Sequence, residues 1–77
     1  MKDTTYKILI DQKPFEHPNQ FITGRQIKNY VNAPPTYGTW AKIKGAKDVE
    51  IGDDEQFDLS LPGREHFFTG PKTTTEG

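Results

Sequence analysis

Thr23-Gly24-Arg25-Gln26-Ile27-Lys28-Asn29-Tyr30-Val31-Asn32-Ala33-Pro34-Pro35 is the stretch that decides the fold. Thr23, followed three residues later by Gln26, has the spacing of a capping box. The hydroxyl and the side-chain amide each satisfy a backbone N–H that a helix start leaves without a partner. Gly24 is a poor first helical residue, yet Arg25 to Val31 supports a helix. Ile27, Tyr30 and Val31 fall at i, i+3 and i+4, which makes one buried stripe. Pro34 and Pro35 then stop the helix, because neither can continue its hydrogen-bond ladder. A helix of about two and a half turns owes its stability to what it packs on.

The flanks supply the partner. Upstream, Tyr6-Lys7-Ile8-Leu9-Ile10 is rich in β-formers, with Tyr6, Ile8 and Ile10 on one face at period two. Asp11 to Pro14 reads as a polar turn, and Phe15 opens a second extended stretch to about Ile22, irregular at Pro18. Downstream, Thr39 to Lys44 alternates, with Ala41 and Ile43 on one face and Trp40, Lys42 and Lys44 on the other. Val49 to Ile51 reads as a brief strand before a turn at Gly52-Asp53-Asp54. Phe57, Leu59 and Leu61 are apolar at period two, as a short strand or an extended loop. Glu65 to Thr69 is the last strand. A helix between an N-terminal hairpin and later strands calls for a mixed sheet with the helix across one face. The expected fold class is therefore α+β, a β-grasp with four or five strands. Residues 1–70 form the domain, and 71–77 form a flexible tail with nothing to bury.

Composition narrows the function. The chain has 77 residues and no cysteine. That removes disulfides, thiol nucleophiles and thiolate metal sites, and it favours a reducing cytoplasm. The longest aliphatic run, Ile8 to Ile10, is far short of a signal peptide or a membrane span. Met1 to Lys47 carries eight Lys/Arg against three Asp/Glu, whereas Asp48 to Gly77 carries two against eight. This polarity can orient a charged partner, although a solvated acidic loop is the plainer reading. The balance is not that of a nucleic-acid binder.

Catalytic signatures are absent from the sequence. Ser60 is the single serine and sits in a strand or turn with no base at hand. His17 and His66 fall on different strands without spaced ligand partners. Asp53-Asp54-Glu55 lacks calcium-loop spacing. Pro71 interrupts the Gly-Lys step that would make Gly70-Pro71-Lys72-Thr73 resemble a phosphate loop. The expectation is a protein that is not an enzyme and holds no metal or cofactor.

What remains is surface and tail. If Ala41 and Ile43 face the core, Trp40 faces out. Of the adjacent Phe67 and Phe68 one must also face out, and Phe68 is the candidate. Leu9 lies opposite Ile8 and Ile10. Leu9, Trp40 and Phe68, ringed by Lys7, Lys42 and Lys44, would form a protein-binding patch. The alternative is that Trp40 folds over the sheet edge and covers core.

Two comparisons sharpen the reading. The hairpin, the Thr-capped helix with its double proline, the lysine-flanked third strand and the tail resemble ubiquitin in order and length. Tyr6-Lys7-Ile8, Thr23-Gly24-Arg25-Gln26-Ile27 and Pro62-Gly63-Arg64-Glu65-His66-Phe67-Phe68-Thr69 resemble the bacterial multiubiquitin-domain family more closely, over roughly Thr5 to Gly70. That resemblance implies a ubiquitin-like modifier working with activating-enzyme-like, conjugating-enzyme-like and metalloprotease-like proteins and their targets. Its conjugation residues would be Glu76 and Gly77. The carboxylate of Gly77 would be adenylated with ATP, passed to a thiol and transferred, with no membrane or nucleic acid involved. Residues 71–77, fully extended, would reach about 23–25 Å at roughly 3.3–3.6 Å per residue. Glu76 departs from the penultimate glycine of ubiquitin. A non-conjugated adaptor is the alternative, and a sulfur carrier a further one.

Overall fold

Thr23 caps its helix in the way its spacing predicts. In the computed structural model, which describes residues 5–61 and 63–72, the Thr23 hydroxyl accepts from the Gln26 N–H and the Gln26 amide oxygen accepts from the Thr23 N–H. Helix α1 runs Gly24–Val31. It ends before the prolines, because Asn32 turns left-handed (φ 56°) and the Ala33 N–H bonds back to the Lys28 carbonyl.

The strands are β1 (Tyr6–Ile10), β2 (Lys13–His17), β3 (Phe21–Thr23), β4 (Tyr37–Ala41), β5 (Val49–Ile51), β6 (Gln56–Asp58) and β7 (His66–Pro71). Five of them form one mixed sheet in the order β2-β1-β7-β4-β5, with β1 and β7 parallel and the other neighbours antiparallel. The helix crosses one face, over a core of Ile8, Ile10, Ile22, Ile27, Ala41, Ile51, Phe57, Leu59 and Phe67. This is the expected α+β β-grasp, ubiquitin-like in layout.

Several boundaries differ from expectation. The first turn is two residues, Asp11 and Gln12, both left-handed (φ 52° and 70°), so Lys13 and Pro14 belong to β2. Pro14 faces Leu9, and β2 is the sheet's edge, where a missing N–H costs no ladder bond. The second extended stretch splits at Pro18. His17 closes the bend by bonding the Phe21 carbonyl at 2.9 Å, and β3 departs to pair with β6 in a separate two-stranded sheet. Strand β4 starts earlier and ends earlier than Thr39 to Lys44, because its pairing with β7 begins at Tyr37. Leu61, on the apolar row with Phe57 and Leu59, is 45% exposed. Strand β7 passes Thr69 and takes in Gly70 and Pro71, paired with Gly38 and Tyr37, so a boundary after Gly70 falls inside a strand. Residues 73–77 lie outside the described residues.

Gly24, poor as a first helical residue, is explained by close approach. The Gly24 and Arg25 N–H groups donate to the Gly52 and Asp53 carbonyls, so the turn after β5 caps the helix start. A β-carbon on Gly24 would stand 2.6 Å from Gly52 O and 2.7 Å from Ile51 O. Only glycine lets the two backbones meet.

Candidate functional site

The sheet face opposite the helix carries the candidate surface. Along β4, Thr39 and Ala41 point into the core and Gly38 and Trp40 point away; along β7, Phe67 is 3% exposed and Phe68 is the outward member. Trp40 and Phe68 are register partners, and their rings stack with centroids 5.4 Å apart and planes 12° apart. The Lys42 ammonium lies 5.8 Å from the Phe68 ring centre. Leu9 is half-buried on the same face and pairs in register with His66. Leu9, Lys42, His66 and Phe68 line one open depression of about 690 Å³ together with Asp11 and Gln12. Lys44, beyond the end of β4, lines a neighbouring depression with Asp48 and Glu65.

Trp40 does not fold over the edge. Its indole lies across the paired glycines Gly38 and Gly70: a β-carbon on Gly38 would be 2.9 Å from Trp40 Cη2, and one on Gly70 3.8 Å from Cζ3. With no side chain beneath, the ring lies against backbone and stacks sideways on Phe68. Such a stack loses little freedom when a partner binds it, which favours affinity. The two glycines and His66 are site members that the sequence reading missed. Gly38 stands two residues before Trp40 on its face, and His66 two before Phe68, so period two was the signal.

The two charge halves meet inside the domain, where Arg25 pairs with Asp54 at 2.8 Å and Lys28 with Asp53 at 2.8 Å. Within the acidic half, Lys72 pairs with Glu50 at 2.9 Å. The Lys28 hydrogen bond holds the Asp53 carboxyl below its usual range, and Ser60 does the same for Asp58. Glu55 accepts from the Gly52 N–H. Asp53, Asp54 and Glu55 are thus occupied in clamping the turn after β5. Among the described residues, Lys7, Lys42 and Lys44 pair with no carboxylate, and of the three it is Lys42 that lies against the aromatic stack, while Lys7 lines a separate depression with Leu9 and His66.

Among the described residues no cluster of three or more His, Cys, Asp or Glu could hold a metal ion, and no helix is long and apolar enough to cross a membrane. Glu76 and Gly77 lie outside the described residues. Comparison with known proteins matches the multiubiquitin family model to residues 6–72. No curated protein and no solved structure matches the chain. With that match spanning most of its length, the chain belongs to the multiubiquitin family.

Proposed function

We propose that this chain is a ubiquitin-like protein modifier, activated at the carboxylate of Gly77 and transferred to target proteins. The observation that carries the reading is the family match over residues 6–72. The sheet supports it. Strand β7 is the central strand, paired with β1 on one side and β4 on the other, and it is the last element before the tail. A link made through the tail would therefore pull on the best-held strand of the domain.

In the proposed reaction the Gly77 carboxylate attacks the α-phosphate of ATP, forming an acyl-adenylate and releasing pyrophosphate. A thiolate of an activating-enzyme-like partner then attacks the acyl carbon and displaces AMP. A target amine finally displaces the thiol and forms an amide. The globular body contributes recognition, and Leu9, Trp40, Lys42 and Phe68 are the residues for it, with Lys44 at its margin. Incubation with an activating-enzyme-like partner and ATP tests the reading by intact mass. A covalent adduct that thiols release, and that deletion of Gly77 abolishes, is the expected result. A sulfur added at the C-terminus would instead identify a carrier.

A second reading, a non-conjugated adaptor, is favoured by the aromatic stack itself, which is built whether or not the tail is used. No adduct, with function retained after Gly77 deletion, would decide for it. Under either reading Trp40→Ala should weaken partner binding by about 2 kcal/mol, as expected for a buried aromatic anchor.

A further inference from the structure

We propose that Lys72 is a positioning residue that fixes the end of β7 and joins it to the Trp40 face. Its use rests on the modifier reading; its geometry does not. Lys72 follows Pro71, the last paired residue of β7. Its ammonium lies 2.9 Å from Glu50 on β5, two strands away across β4. The two side chains together span that width, about 10 Å at the usual strand spacing, by lying over the intervening strand.

Gly38 makes the crossing possible. A β-carbon there would stand 2.8 Å from Lys72 Cγ and 3.1 Å from Cδ, so the aliphatic stem runs through the notch that the missing side chain leaves. The same β-carbon would touch the Trp40 indole at 2.9 Å. Stem and indole therefore share one notch. Glu50 is in turn the register partner of Trp40 on β5. Lys72, Gly38, Trp40 and Glu50 form one contiguous surface, and a partner that covers the indole also meets the start of the tail.

An exposed ion pair holds little by itself. Here it closes a strap whose other two fixings are the Pro71–Tyr37 pairing and the Gly38 notch. Loss of the pair should free Lys72 without loosening the sheet, since Glu50 lies on the short edge strand.

Trypsin reads this directly, because the Lys72 side chain must leave Glu50 to enter the protease pocket before the Lys72–Thr73 bond is cut. The full chain is digested under native conditions and followed by intact mass, with cleavage after Lys7 and Lys28, inside β1 and α1, as the gauge of general opening. Glu50→Thr, which keeps a strand-forming residue at that position, should speed cleavage at Lys72–Thr73 about two- to fivefold and leave the internal sites unchanged. One molar salt should act on the parent in the same direction by screening the pair, and Gly38→Ala should do so by pushing the stem out of its notch. Should Gly38→Ala raise all sites together, it has unfolded, and Glu50→Thr decides alone. Equal cleavage at Lys72–Thr73 in the parent and Glu50→Thr would overturn the positioning role and leave the modifier reading standing. A confirmed strap with no activation at Gly77 would overturn only the modifier reading.

Discussion

The ammonium of Lys28, on α1, lies 2.8 Å from the carboxylate of Asp53 in the turn after β5. The lysine is 5% exposed and also donates to the carbonyls of Pro35 and Tyr37, at 2.9 and 3.0 Å. Its three protons thus have three acceptors from two separate segments of chain. A buried charge is tolerated only when it is satisfied in this way.

Lys28→Met keeps the stem's volume and removes the charge. It leaves the two carbonyls short of a donor and Asp53 without its cation. The expected loss is about 2 kcal/mol, near the usual cost of unsatisfied buried acceptors. Urea denaturation measures it. A midpoint equal to the parent's would mean that the ammonium contributes nothing to the fold.

Gly24→Ala sets two effects against each other. Alanine favours a helix by about 1 kcal/mol over glycine. The added β-carbon, however, would meet the Gly52 and Ile51 carbonyls at 2.6 and 2.7 Å and Thr39 Oγ1 at 2.8 Å. Backbone atoms cannot swing aside, so overpacking of about 2–3 kcal/mol wins and the variant is less stable. The helix would also lose the carbonyls that accept from Gly24 and Arg25 if the turn retreated. A variant more stable than the parent would show that the two backbones do not meet so closely.

The features legible in the sequence are those with local causes. Thr23 and Gln26 cap by a fixed spacing, and Trp40 faces outward because Ala41 faces in; neither needs a distant residue. Lys28 was illegible, since a lysine beside an apolar stripe looks solvated, and its burial is set by Pro35, Tyr37 and Asp53 together. The β3–β6 pair was equally hidden. Each strand has three residues, too few to show alternation, and their partnership spans more than thirty residues of chain. The acidic run looked like a solvated loop because the pairings of Arg25 with Asp54 and Lys28 with Asp53 exist only once the fold brings the two halves together. Gly70 was read as the end of the domain and Gly38 drew no reading, whereas the structure uses their lack of a side chain to seat Trp40 and, at Gly38, the Lys72 stem.

Gln12→Gly should stabilise the domain. Gln12 sits at φ 70° in the two-residue turn, a region in which a side chain costs about 1–2 kcal/mol. Glycine removes that cost and gives back part of it as chain entropy, leaving a gain of about 0.5–1 kcal/mol. Asp11, at φ 52°, should respond in the opposite way. Its carboxylate accepts from the Thr69 N–H at 2.9 Å and the Thr69 hydroxyl at 2.7 Å, tying the turn to β7. Asp11→Gly relieves the same backbone cost but severs both bonds. Thermal melts of the two variants should move in opposite directions, and a shared rise would remove the Asp11–Thr69 tie from the account.

Acid should weaken the fold through two carboxylates. Asp53 is held below its ordinary range by the Lys28 hydrogen bond, and Asp58 by bonds from the Ser60 hydroxyl and N–H. Below the ordinary carboxylate value, about 4, the unfolded chain takes up protons that the folded chain still refuses, so stability falls as pH falls. Above about pH 5 both states are ionised and the contribution is complete. Lys72 acts in the other sense: the Glu50 hydrogen bond raises its pKa, and that contribution is lost only in strong alkali. Urea midpoints should therefore be level from pH 7 to 5 and decline toward pH 3. Asp53→Asn with Asp58→Asn should lower the midpoint at pH 7 and flatten the decline. A double variant whose midpoint falls in parallel with the parent's would show that the acid sensitivity belongs to other carboxylates.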